Sequence, residues 1–195
     1  PDAIAFEERN WTKDKSGEAE YFELATRLVR GHTLLAKVLH DVSVSLDYLE
    51  ACRPEVDKTR IGFIGHSYGG RMAIWSPAFD ERICVSVSNC GCVNYKDSLT
   101  PNAGIQAEFC VPGIMNRGDI EDIVSMVAPT PLYISATEDD KWSKGAQAMY
   151  AYARSAFPEG ALKCKVWPGD HVFTPEMREE AYAFLDIYLK ASLDK

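Results

Sequence analysis

Two side chains in this sequence have the types needed for acyl transfer, Ser67 and His171, and an acidic cluster, Glu138-Asp139-Asp140, lies between them. A serine hydroxyl is a weak nucleophile near neutral pH, so an imidazole must accept its proton. A carboxylate must then hold the imidazole in the correct tautomer and stabilise the cation that forms. These three residue types predict nucleophilic catalysis through an acyl-enzyme, with Asp139 and Asp140 competing for the role of the acid ahead of Glu138.

Ser67 lies within residues 61–70, IGFIGHSYGG, where an apolar run leads into Gly-x-Ser-x-Gly. This order of strand, sharp turn and helix is typical of a nucleophile elbow, which holds the serine in a strained backbone conformation. We expect glycine to be required at positions 65 and 69, because the neighbouring chain passes too close for a Cβ atom. The alternative is a Gly-rich connection or a phosphate-binding loop, but neither GxGxxG nor Gly-Lys-Ser/Thr is present.

The other histidines and the acidic cluster also have structural interpretations. His66 should leave the turn in another direction from Ser67 and pack, and His32 and His40 lie in a predicted helix. The acidic cluster could cap a helix beginning at Ser143, or form an isolated cation site. Its spacing supplies too few ligands for a metal, and no His-x-x-x-His or Cys-x-x-Cys accompanies it. We expect no metal and no cofactor.

Strands and helices are predicted to alternate, which indicates a parallel sheet. After the strand that leads into the elbow, short apolar runs predict strands at residues 83–88, 131–136 and 162–167. Helical spacing runs through residues 21–49 with a break at Gly31, follows the elbow, and resumes after Asp119, Ser143 and Thr174. Because parallel strands place their carboxyl ends on one edge, the loops with Ser67, the acidic cluster and His171 should share a crevice.

Three segments together resemble the α/β-hydrolase superfamily: Gly65-His66-Ser67-Tyr68-Gly69-Gly70, Ala136-Thr137-Glu138-Asp139 and Gly169-Asp170-His171. The opening PDAIAFEER and the overall spacing are most similar to dienelactone-hydrolase-like and acetyl-xylan-esterase-like members. The resemblance implies a mostly parallel sheet with helices on both faces. It also favours Asp139 as the acid, since the family acid commonly closes a Gly-x-x-Asp pattern, here with Ala136 in place of glycine.

The resemblance further implies a serine esterase, because dienelactone hydrolases proper have cysteine at the elbow and this chain has Ser67. The backbone N–H of Tyr68 should be one oxyanion donor. The second donor and the N-terminal strands are expected upstream of Pro1, so residues 1–195 are predicted to be one N-terminally incomplete domain with an excursion at about 93–127. A serine peptidase of prolyl-oligopeptidase type, or a non-catalytic binding protein on the same fold, are the alternatives.

Composition narrows the possible partners. The chain has 195 residues, 46% of them hydrophobic, and a formal net charge of -8. It offers no basic patch for a phosphate backbone and no run of eighteen apolar residues. We therefore expect a small-molecule ester substrate and no nucleic-acid or membrane partner, and the oligomeric state is open. The six scattered cysteines suit reduced thiols and a cytoplasmic location, although the absence of Met before Pro1 leaves a leader sequence undecided.

Overall fold

Four parallel strands form the sheet in the computed structural model, which describes residues 2–12, 17–101 and 104–190. The strands are β1 (Ile61–His66), β2 (Ile83–Asn89), β3 (Leu132–Thr137) and β4 (Leu162–Trp167). Their order across the sheet is the order of the sequence, β1-β2-β3-β4, and every neighbouring pair is parallel. The predicted parallel sheet is confirmed, with strand limits that differ from the predicted ones by at most about two residues.

Helices precede, connect and follow these strands. They are α1 (Glu18–Val29), α2 (Leu34–Cys52), α3 (Tyr68–Phe79), α4 (Tyr95–Ser98), α5 (Ile120–Met126), α6 (Ala146–Ala153) and α7 (Pro175–Leu189). Short 3₁₀ segments lie at Glu7–Arg9, Ala107–Phe109, Ile114–Asn116, Lys141–Ser143 and Arg154–Ala156. The predicted break at Gly31 separates α1 from α2, where this glycine has a φ of 77°.

Each face of the sheet has its own apolar core. On one face, buried side chains of α2, α3, α5 and α6 pack against Leu132, Ile134 and neighbouring residues. On the other face, Phe184 and Leu185 of α7 pack against Val85 and Val87 of β2. Helices thus cover both faces, as predicted, and the carboxyl ends of all four strands remain at one edge, where loops can form a site.

Helix starts follow the predicted capping residues in two places and not in a third. The Thr174 hydroxyl accepts from the Met177 N–H, with Pro175 opening α7, and Asp119 and Asp122 form a capping box at α5. The predicted helix start at Ser143 is wrong. Ser143 ends a 3₁₀ segment and α6 begins at Ala146, because Lys144 with a ψ of 127° and Gly145 with a φ of 84° interrupt the helical backbone.

Residues 90–131 connect β2 to β3 through α4, two 3₁₀ segments and α5. The predicted excursion at about 93–127 lies within this connection, and its residues 102 and 103 lie outside the described part of the chain. The six cysteines are all described, and each is a free thiol. In the described ranges, none of the helices has the length and apolar character that crossing a bilayer requires.

Candidate active site

Ser67 stands at the turn between β1 and α3 with a φ of 59° and a ψ of −118°. A positive φ is costly for a residue with a side chain, so the surroundings must hold it there. Two backbone hydrogen bonds do so. The Ser67 N–H donates to the Asn89 carbonyl over 2.9 Å, and the Arg71 N–H donates to the Ser67 carbonyl over 3.0 Å. The backbone therefore has the strained strand-to-helix turn that the sequence predicts.

The glycines of this turn have different steric roles. An alanine Cβ at position 65 would overlap the backbone carbonyl of Gly69, whereas a Cβ at position 69 would meet no atom within 4 Å. The expectation of a close approach is therefore correct at Gly65 and wrong at Gly69, whose own backbone is the obstacle. Gly70 and Gly91 also allow a close approach between the start of α3 and the end of β2. A Cβ on Gly70 would overlap the Asn89 carbonyl, and a Cβ on Gly91 would overlap the backbone of Gly70.

We expect Gly65→Ala to prevent stable folding or to lower the free energy of unfolding by about 3 kcal/mol or more, because rigid backbone occupies the space of the added methyl group. Gly69→Ala is the matched control. It lies in the first turn of α3 with open space around it, and alanine favours a helix by about 1 kcal/mol over glycine. Urea unfolding of both variants checks the prediction, which equal stability losses would contradict.

His171 meets the acidic cluster through Asp140. The His171 Nδ1 atom lies 3.0 Å from Asp140 Oδ1, and the Asp140 side chain is 1% exposed while that of His171 is 32% exposed. The Nδ1 atom has no aligned hydrogen-bond partner among the described residues. A small ring rotation would therefore be needed for a straight Nδ1–H···O bond, as is common in ligand-free sites.

The carboxylate that contacts His171 is thus that of Asp140, whereas the resemblance favours Asp139, and the choice of the catalytic acid stays a prediction. Backbone hydrogen bonds to the last strand and its loop continue beyond β3, since the Glu138 N–H donates to Trp167 and the Asp139 N–H donates to Gly169. Asp139 lies in the bend that follows β3 and is exposed. The chain turns inward only one residue later, where Asp140 accepts hydrogen bonds from the Trp142 N–H and the Ser143 hydroxyl.

Asn89, the last residue of β2, connects the serine turn to the histidine loop. Its carbonyl accepts from the Ser67 N–H, and its side-chain Nδ2 donates to the Val172 carbonyl over 3.0 Å and contacts His66 Nδ1 at 2.7 Å. The Ser135 hydroxyl donates to its Oδ1 over 2.7 Å. Asn89 is fully buried. The sequence offers only one signal for it, a polar residue at the carboxyl end of a buried strand.

His66 packs beside the site, as the sequence predicts. Its ring lies 4.6 Å from that of His171 and stacks on Phe173 at 6.1 Å between ring centroids. Burial, followed by the proximity of His171, lowers the pKa of His66. With the Asn89 amide donating to Nδ1, the ring is held neutral with its proton on Nε2. His66 thereby packs against the histidine loop as a neutral ring.

Two curated proteins are similar in sequence to this chain. The chain is 32% identical over 190 residues to "Putative hydrolase YtaP" of Bacillus subtilis (strain 168), covering 90% of the chain and 61% of that protein. It is 27% identical to "Carbohydrate esterase MZ0003" of an unknown prokaryotic organism, over 65% of the chain and 34% of that protein. No protein-family model matches. The chain thus spans about three fifths and about one third of these two relatives.

Solved structures give the same fold. Methylesterase BT1017 superposes with a TM-score of 0.68 at 20% identity, covering 95% of this chain and 40% of that one. A carbohydrate esterase family 15 glucuronoyl esterase from Caldicellulosiruptor kristjansonii has a TM-score of 0.65 at 21% identity, covering 82% and 51%. The chain thus has the α/β-hydrolase fold, and the predicted fold class is confirmed. The relatives named hydrolase and esterase are consistent with the predicted resemblance.

Tyr68 is the first residue of α3 and directly follows Ser67. The first N–H groups of a helix have no intrahelical partner, so the Tyr68 N–H is available to an oxyanion. Its role as a donor stays a prediction. The Tyr68 side chain points into the protein, where it packs against Phe6 and Phe109, and burial raises the pKa of its hydroxyl.

One helical turn beyond Ser67, Arg71 is buried near Glu108. The Arg71 guanidinium lies 4.9 Å from the ring centroids of both Phe109 and Trp142, and burial lowers its pKa to about 10. Neither carboxylate oxygen of Glu108 has a hydrogen-bond partner in the described part of the chain. Burial, with a further contribution from Glu20, raises the pKa of Glu108 to about 7.

We expect Glu108→Gln to stabilise the protein at pH 8 and to change little at pH 4.5. The pKa of this carboxyl is raised from 4.5, so the folded state retains a proton that the unfolded chain releases as the pH rises from there to about 7. Stability is therefore lost through this window, by up to about 3 kcal/mol at 1.4 kcal/mol per pKa unit. Thermal unfolding should show a gain of several degrees at pH 8. A gain of the same size at both pH values would contradict the prediction.

Proposed function

We propose that this chain carries the catalytic centre of a serine hydrolase that cleaves carboxylic ester bonds through an acyl-enzyme intermediate. The observation that carries the proposal is the 3.0 Å contact between His171 Nδ1 and the buried Asp140, at the edge of the sheet where Ser67 occupies its strained turn. Because Nδ1 faces the carboxylate, Nε2 is the nitrogen left to serve the serine. Asp140 takes the acid role in this proposal, in place of the predicted Asp139.

In the proposed reaction, the Ser67 hydroxyl oxygen attacks the ester carbonyl while His171 Nε2 takes the hydroxyl proton. Asp140 stabilises the imidazolium, and the Tyr68 N–H donates to the oxyanion. The carbon–oxygen bond to the alcohol then breaks, the alcohol leaves with the proton from His171, and the acyl group stays on Ser67. A water molecule next attacks the acyl carbonyl, giving a proton to His171. The free acid departs as Ser67 regains its proton.

We further propose that the ester belongs to a carbohydrate. The similar proteins include one named carbohydrate esterase, one named methylesterase and one named glucuronoyl esterase. Such a substrate agrees with the predicted small-molecule ester and needs neither a nucleic-acid surface nor a membrane. The acyl and alcohol groups are open to assay.

The test combines covalent labelling with a substrate panel, both on the complete protein. A fluorophosphonate probe should modify Ser67 and no other serine, as mapped by peptide mass spectrometry. Acetylated sugars, a uronic acid methyl ester and an aminoacyl amide should then be compared at matched concentration. We expect hydrolysis of at least one carbohydrate ester and at least 100-fold slower amide cleavage. Faster amide cleavage would favour the prolyl-oligopeptidase-type alternative, and an unlabelled Ser67 in folded protein would favour the binding protein.

A further inference from the structure

Cys90 brings a thiol to the contact between His171 and Asp140. The Cys90 Sγ atom, a carboxylate oxygen of Asp140 and a ring nitrogen of His171 all lie within 4.8 Å of one another. The three residues follow the adjacent strands β2, β3 and β4 directly or after a short loop, so the parallel sheet gathers them at one edge. Cys90 is fully buried and has a φ of 51°, and its Sγ contacts Thr137 Oγ1 at 3.4 Å and the Val172 carbonyl at 3.5 Å.

We propose that Cys90, Asp140 and His171 bind one Zn²⁺ ion, and that this ion acts as a reversible inhibitor of the site and not as a cofactor. Thiolate, imidazole and carboxylate are the three side-chain ligand types of Zn²⁺. With bond lengths of about 2.0–2.3 Å, tetrahedral ligand atoms lie about 3.3–3.8 Å apart. The three atoms are therefore within about 1 Å of a binding arrangement. Solvent reaches them through His171, which is about one third exposed.

Binding would redistribute two protons. The Cys90 thiol releases its proton to solvent as the sulfur–zinc bond forms, because the thiolate is the ligand. The His171 Nδ1 must offer its lone pair to the ion, so the ring proton moves to Nε2. An imidazole protonated on Nε2 has no lone pair for the serine proton. Zinc would thus prevent His171 from acting as the base. This consequence rests on the proposed function, whereas metal binding itself does not.

Metal binding is tested first, without reference to activity. The complete protein, freed of any histidine tag, is titrated with Co²⁺ and then with Zn²⁺ against a chelating chromophore. We expect one equivalent to bind, with a near-ultraviolet thiolate-to-cobalt absorption band. Cys90→Ser should lose the band and bind Zn²⁺ at least tenfold more weakly. Cys84→Ser is the matched control. It removes a half-buried thiol from β2, the strand that leads to Cys90, and Cys84 is not one of the three proposed ligands. Circular dichroism verifies folding, and Cys90→Ala replaces the serine variant if that does not fold.

Inhibition is tested second, with the ester found in the substrate panel. Zn²⁺ should abolish turnover of the parent protein and excess chelator should restore it. Half-inhibition of Cys90→Ser, measured relative to its own metal-free rate, should need at least tenfold more Zn²⁺. Absence of the cobalt band, or equal zinc affinity in Cys90→Ser, would overturn the proposed site. A cobalt band in a protein without any ester turnover would support the metal site and count against the proposed function alone. Binding of Zn²⁺ at the trio without loss of turnover would overturn the inhibitory role.

Discussion

Ser67→Ala is expected to lower kcat for ester hydrolysis by about 10⁴- to 10⁶-fold, because removing the nucleophile of a serine hydrolase leaves only binding and oxyanion stabilisation. The fold should survive, since alanine occupies the same φ of 59° and the two backbone hydrogen bonds of residue 67 remain. The measurement is the initial rate under saturating substrate for the complete protein. Fluorophosphonate labelling of the variant should be absent.

Ser76→Ala is the matched control for this experiment. Ser76 lies on the same helix as the turn, is 1% exposed, and its hydroxyl has no hydrogen-bond partner within the described ranges. Its removal should leave kcat within about twofold of the parent. Retained ester turnover in Ser67→Ala, at the level of the parent protein, would show that the hydrolysis comes from another group or from a contaminant.

Asp140→Asn is expected to lower kcat by about 10⁴-fold, the size of loss that follows when an amide replaces the orienting carboxylate and reverses the histidine tautomer. The carboxylate of Asp140 is buried and 3.0 Å from His171. Asparagine has nearly the same shape, but the Trp142 N–H and the Ser143 hydroxyl donate to different oxygens of Asp140, so the amide keeps an acceptor for only one of them. The measurement is kcat of the folded variant under the conditions used for the parent.

Asp139→Asn is the natural control, because it makes the same chemical change at the neighbouring position. Asp139 is exposed, and its backbone N–H, which is unaffected, makes the hydrogen bond to Gly169. Its kcat should remain within about twofold of the parent. If Asp139→Asn shows the larger loss, Asp140 is not the orienting acid and the loop must rearrange during the reaction.

Sequence patterns do not determine whether Asp139 or Asp140 contacts His171. Both residues follow the same strand. The family pattern ends at Asp139 whether the carboxylate that contacts His171 is that of Asp139 or that of Asp140. The choice is made by the length of β3–β4 pairing, which runs on to the Asp139 N–H and the Gly169 carbonyl. Beyond these hydrogen bonds the chain bends, and the carboxylate that becomes buried is that of Asp140, whose oxygens accept from Trp142 and Ser143. No local pattern encodes where the pairing ends.

Distant partners explain the other residues that the sequence did not single out. Asn89, Cys90 and Gly91 look like an ordinary strand end, yet each meets a segment far away along the chain. Asn89 bonds to Ser67, Ser135 and Val172, Cys90 approaches Asp140, and Gly91 lies against Gly70. Glu108 likewise gives no hint of its pKa of about 7, because the burial that raises it comes from tertiary packing.

The amino-acid order by itself determined the alternation of strands and helices, the parallel sheet, the strained turn at Ser67 and the loop that carries His171. These follow from local periodicity, glycine spacing and capping, which act over a few residues. Tertiary structure alone decided that Asp140 meets His171, that Asn89 joins the two loops and that a thiol lies beside them. The physical reason is that strand pairing and side-chain burial depend on segments tens of residues apart, whose distances no local pattern specifies.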